Sequence, residues 1–96
     1  MRLSKRDISI IKNVIYQHID DAKITLFGSR VYDDKKGGDI DIFVETKHNI
    51  SMKQKLEILT EIEIDGILRK VDMVFKTPLS RYEPIFDTIK REGIVL

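Results

Sequence analysis

Gly37-Gly38-Asp39-Ile40-Asp41-Ile42-Phe43-Val44 is the stretch on which the reading of this chain turns. From Asp39 onward it alternates with the period of a β-strand, so Ile40, Ile42 and Val44 face one side and Asp39, Asp41 and Phe43 the other. Positions two apart on one face lie roughly 6.5 to 7 Å apart at their Cα atoms, which makes the two carboxylates a pair. The polar, glycine-rich Lys35-Lys36-Gly37-Gly38 before them favours chain reversal. Upstream, a β-prone run over 22–27 stops at Gly28-Ser29 and reads as a strand entering a tight turn, with a brief helical turn expected over 30–34. Downstream, Lys70-Val71-Asp72-Met73-Val74-Phe75 predicts a third strand that closes at Thr77-Pro78, with Asp72 projecting opposite to Val71 and Met73.

Helices fill the intervals. Ser4 or Asp7 can cap a first helix whose Ile8, Ile11, Ile15 and His18/Ile19 recur at three- and four-residue steps. Ser51 can cap a second, with Met52, Leu56, Leu59 and Ile62/Glu63 as its apolar stripe and Asp65-Gly66 as its end. A last helix is expected from about 80 to 91, with Ile85, Phe86 and Ile89 turned inward and Gly93 as the stop. The apolar end Ile94-Val95-Leu96 can complete the sheet or meet a partner, and the intramolecular role is favoured. This order predicts an α/β (α+β) domain over 1–96, a small mixed β-sheet with helices packed on it.

Composition narrows the function. A chain of 96 residues with 42% hydrophobic and 34% charged residues has enough apolar material for one core and is too apolar for a disordered tail. The formal charge of +1 supplies no general attraction to nucleic acid or to an anionic membrane, so neither is an expected partner. The absence of cysteine excludes disulfides, thiolate zinc sites and cysteine nucleophiles. No apolar run approaches the ~18 residues of a membrane span, and the charged Met1-Arg2-Leu3-Ser4-Lys5-Arg6 is unlike a signal peptide, so a cytoplasmic location is expected.

The chemistry rests on a relation between strands. Side by side, the strands carrying Asp39, Asp41 and Asp72 would gather three carboxylates, which repel and raise one another's pKa unless a cation neutralises them. A hard divalent ion suits such ligands: Mg²⁺ combines one or two carboxylates with water and substrate phosphates. Where two ions share a site they stand ~3.5 to 4 Å apart, one on the attacking and one on the leaving oxygen. Gly28 permits close approach of a phosphate to the backbone, Ser29 offers a hydroxyl and Arg30 a positive charge. Each element has an ordinary reading as well: Gly-Ser as a turn, Asp-x-Asp as a solvated strand face, Asp72 as a partner of Arg69 or Lys70. Their order and spacing outweigh these readings: apolar-Gly-Ser, nine residues, Asp-Ile-Asp-Ile, then a later Val-Asp-Met. His18 and His48 show no partner and read as surface or edge residues; Tyr16, Tyr32 and Tyr82 read as packing residues first, with Tyr32, which follows the Gly-Ser turn, the one that could border a nucleotide pocket.

Phe27-Gly28-Ser29, Asp39-Ile40-Asp41-Ile42 and Val71-Asp72-Met73 resemble the three motifs of the polymerase-β-type nucleotidyltransferase superfamily, and the short chain resembles its minimal nucleotidyltransferase branch. Gly38 departs from the serine many relatives carry before the first aspartate. The resemblance implies that Gly28, Ser29 and Arg30 bind the nucleotide and that Asp39, Asp41 and Asp72 are catalytic and hold Mg²⁺ or Mn²⁺. It implies an enzyme that transfers AMP from ATP to a hydroxyl, with a tyrosine of a HEPN-domain toxin as the acceptor and this chain as the antitoxin. The alternatives are an antitoxin that neutralises by binding, without catalysis, and transfer to a small molecule. A chain of this length leaves no room for an acceptor domain, and its oligomeric state stays open.

Overall fold

The structure is a computed structural model that describes residues 3–28, 39–67 and 69–96. Its elements are α1 (Lys5–His18), β1 (Lys23–Phe27), β2 (Ile40–Glu45), α2 (Met52–Ile64), β3 (Val71–Lys76), α3 (Pro84–Glu92) and β4 (Ile94–Val95). They form the expected α+β fold, a mixed sheet with helices on it. The strand order is β3-β2-β1-β4, with β1 antiparallel to β2 and β4 and β2 parallel to β3. A parallel pair needs a crossover, which α2 supplies. The helical turn expected over 30–34 lies outside the described residues.

Local signals place most boundaries. The Ser4 hydroxyl accepts from the Asp7 N–H at 3.1 Å and starts α1. At α2, Ser51 and Gln54 form a reciprocal capping box that satisfies two otherwise orphaned donors. The last helix begins at Pro84, not near Ser80 as the sequence suggested. Proline at the first helical position loses no hydrogen bond, whereas Ser80 closes the turn after β3: its N–H donates to the Thr77 carbonyl and its Oγ accepts from the Thr77 N–H, both at 3.0 Å. Lys90 and Arg91 in the last turn of α3 complement the helix dipole. Gly93 ends α3 where a Cβ would overlap Thr25 and the Ile89 carbonyl, and the chain returns as β4 beside β1.

The alternation read in 39–44 divides the core between two sheet faces. Ile40, Ile42 and Val44 join Ile24 and Leu26 against Ile11, Val14 and Ile15 of α1 and Ile58 and Ile62 of α2. On the other face Phe43, 0% exposed, packs with Phe86 and Ile89 of α3, its ring centroid 5.4 Å from that of Phe86. The stripe expected on α2 is rotated: Met52 and Leu56 are 68% and 57% exposed, while Ile58 and Ile62 are buried. Apolar residues occupy more than one face of this helix, so periodicity alone could not choose between them, and packing against α1 and the sheet did. Ile85 is likewise exposed, and of the α3 stripe only Phe86 and Ile89 are buried. The described tyrosines, Tyr16 and Tyr82, are exposed and do not serve as packing residues.

Candidate functional site

The end of β1 and the starts of β2 and β3 meet at one end of the sheet. Phe27, the last residue of β1, stands opposite Asp41 in the antiparallel register. The chain then leaves through Gly28 with φ of 76°, in the left-handed region that disfavours side chains. A Cβ built on Gly28 would overlap the Asp41 carboxylate, so the glycine is required both by its own backbone and by the aspartate beside it. Gly28→Ala is therefore expected to destabilise the fold by about 1 to 2 kcal/mol for the left-handed residue. It should also push Asp41 aside, lowering any activity that depends on that carboxylate by about 10²-fold. Thermal melts and transfer rates check both; a variant as stable and active as the parent would show that the turn does not constrain Asp41. Ser29 and Arg30, the other expected nucleotide-binding residues, lie outside the described residues.

Parallel pairing of β2 with β3 sets Asp41 opposite Asp72, and neighbouring strands run ~4.8 Å apart. The ladder is anchored one step earlier, where the Ile40 N–H donates to the Lys70 carbonyl at 2.9 Å. Asp39, exposed, immediately precedes β2 and is two residues from Asp41. Burial raises the Asp41 pKa above the usual carboxylate value, and the charges of Asp72 and then Asp39 raise it further. Lys70 Nζ lies 3.7 Å from Asp72 Oδ1, the pairing that an ordinary surface reading of Asp72 anticipated. Gly28, Asp39, Asp41 and Asp72 thus gather at one end of the sheet. Mutually repelling carboxylates, one of them half-buried, fit a hard divalent cation by donor chemistry: all oxygen, no nitrogen or sulfur.

Residue rows along the same face continue away from this end. Thr25, Phe43 and Val74 stand in register under α3, and below them Glu45 stands between Lys23 and Lys76. Glu45 Oε2 lies 3.4 Å from Lys90 Nζ of α3 and 3.9 Å from Lys76 Nζ, while its buried Oε1 has no hydrogen-bond partner among the described residues. The aspartate face is thus closed by α3 at its centre and tied by charge at its far end.

The histidines have partners that the sequence did not reveal. His18 Nε2 is 3.0 Å from Glu61 Oε2 and links α1 to α2. His48 Nε2 lies 3.5 Å from Asp20 Oδ1 and 3.7 Å from Asp21 Oδ1. Asp20, Asp21 and His48 are exposed and close enough to share a cation. Asp21 already accepts from the Thr46 hydroxyl and, at 2.8 Å, from the Lys47 N–H, bonds that hold its pKa below the ordinary value and clamp the α1–β1 corner to the end of β2. No spacing in the sequence signals this group, because its members are joined only by the return of β2 past β1.

Comparison with curated proteins finds no match. The chain does match the family described as Polymerase beta, Nucleotidyltransferase, over residues 9–96, a span that takes in the turn at Gly28, all three aspartates and every strand. With the match covering more than half of its length, the chain belongs to the polymerase beta nucleotidyltransferase family.

Proposed function

We propose that this protein is a metal-dependent transferase that moves AMP from ATP to a hydroxyl, the acceptor being a tyrosine of a HEPN-domain toxin for which it is the antitoxin. The observation that carries the reading is the parallel register that puts Asp72 beside Asp41, next to the Gly28 turn, in a chain of this family. The acceptor oxygen attacks the α-phosphorus, the bond from that phosphorus to the α–β bridging oxygen breaks, and pyrophosphate leaves with the electron pair. Asp39 and Asp41, with Asp72 as the third carboxylate, would hold Mg²⁺ or Mn²⁺. Such an ion, when bound, neutralises phosphate charge and stabilises the attacking and leaving oxygens. Asp72 would take the hydroxyl proton, and Gly28, Ser29 and Arg30 would cradle the triphosphate. The chain's own contribution is placement and charge, on which phosphoryl-type transfers chiefly depend. The Asp72 side chain is 46% exposed, as a group that must meet an acceptor from solution requires.

Intact-mass measurement of the candidate toxin after incubation with this protein, ATP and Mg²⁺ tests the reading. A gain of about 329 Da per transferred AMP, absent with Asp39→Asn/Asp41→Asn, is the expected result. An unchanged mass in a stable complex with bound nucleotide would instead favour neutralisation by binding. Labelling of a small acceptor in place of the toxin would move the substrate class.

A further inference from the structure

Lys70 immediately precedes β3 and is two residues from Asp72, which stands beside Asp41 in the parallel register. The Lys70 backbone is fixed by the ladder through its carbonyl bond to Ile40, while its side chain is 70% exposed and reaches Asp72 Oδ1 at 3.7 Å. An exposed pair of this kind contributes little to stability. Its effect on a cation is larger, because a positive charge a few ångströms from a divalent ion opposes binding directly. The lysine stem is flexible and its ammonium is a compact charge, so it can swing from one anionic partner to another without moving the strand.

We propose that Lys70 is the resident counter-ion of the carboxylate end: it neutralises Asp72 while no metal is bound, is displaced when a divalent cation arrives, and then turns to the triphosphate that the cation brings. The proposal rests on the reading of Asp39, Asp41 and Asp72 as metal ligands. It gives Lys70 a charge-exchange role whose removal acts with opposite signs on metal alone and on metal with nucleotide. Simple loss of a surface charge far from the site would do neither.

The test is titration of the full chain with Mn²⁺ alone, followed by the electron paramagnetic resonance of the free ion, and then with Mn²⁺–ATP. The proteins are the parent, Lys70→Gln, Asp41→Asn and Lys53→Gln, the last making the same charge change on an exposed position of α2. Lys70→Gln is expected to bind Mn²⁺ alone roughly three- to tenfold more tightly at low ionic strength, the gain shrinking as salt is added. It should bind Mn²⁺–ATP more weakly than the parent, and Lys53→Gln should match the parent in both. Unchanged or weaker Mn²⁺ binding by Lys70→Gln, with Asp41→Asn impaired, overturns the counter-ion role and leaves the metal reading standing. Equal tightening by both lysine variants also overturns it, in favour of a general field. If Asp41→Asn binds Mn²⁺ as the parent does, or no protein binds it, the carboxylate reading fails and takes the role of Lys70 with it.

Discussion

Asp41→Asn is expected to lower AMP transfer by about 10³-fold or more, while leaving the metal-free protein folded and slightly more stable. The rate loss corresponds to roughly 4 kcal/mol of transition-state stabilisation, the scale expected when a ligand of a catalytic metal is lost. The stability change has the opposite sign because Asp41 is held in an unfavourable place: half-buried, opposite Asp72 and near Asp39, with its pKa raised by burial first and by those charges second. A raised native pKa means that the folded state binds the proton more tightly than the unfolded one. Stability of the metal-free protein therefore falls as pH rises from the ordinary aspartate value through the raised one, and the penalty is fully present above it. Asparagine removes the charge and with it that part of the pH dependence. The group is partly solvated, so the gain is small, about 2 °C in the melting midpoint at neutral pH in chelator and low salt. Excess Mg²⁺ should stabilise the parent and erase or reverse the difference. Melts across pH with and without metal, beside single-turnover rates, decide the matter. An asparagine variant that is less stable in chelator would mean that Asp41 serves the fold as a hydrogen-bond acceptor, and a variant of undiminished rate would remove it from the chemistry.

The largest effect on stability is expected at Phe43. Its side chain is 0% exposed and, with Phe86 and Ile89, makes up the small core between the sheet and α3. Phe43→Ala should cost about 3 to 5 kcal/mol, transfer loss plus the cavity left behind. A domain of this size has only about 5 to 15 kcal/mol in all, so the variant should lose a large fraction of its stability. Urea titration measures this as a lowered midpoint with an unchanged slope. Phe43→Leu, which retains most of the volume, should lose much less, about 1.5 kcal/mol. The two variants together ask whether α3 supports the aspartate end: Phe43 is two residues from Asp41 on the same strand face, paired with Thr25 and Val74. If the core under α3 holds Asp41 in place, the leucine variant loses transfer rate along with rigidity of that strand. Near-parent stability of Phe43→Ala would contradict the packing of α3 on this face.

Some of this was legible in the order of residues alone. The alternation in Asp39–Val44 identified a strand with a carboxylate face and an apolar face, because side-chain direction in a strand depends on nothing beyond the backbone's own period. Ser4, Ser51 and Gly93 marked helix ends, since caps and stops act within one turn of chain. The three motifs announced the family for the same local reason. Tertiary structure alone decided the rest. The register that places Asp72 beside Asp41, rather than a residue off and on the opposite face, follows from packing the partly buried Val71, Met73 and Phe75 against the α1–α2 core. The buried face of α2 was chosen by its neighbours, and so were the partners of His18, His48 and Glu45. Short-range signals are carried by bonds between residues a few positions apart, whereas register, helix rotation and charge pairing are settled by which distant surfaces must leave water together.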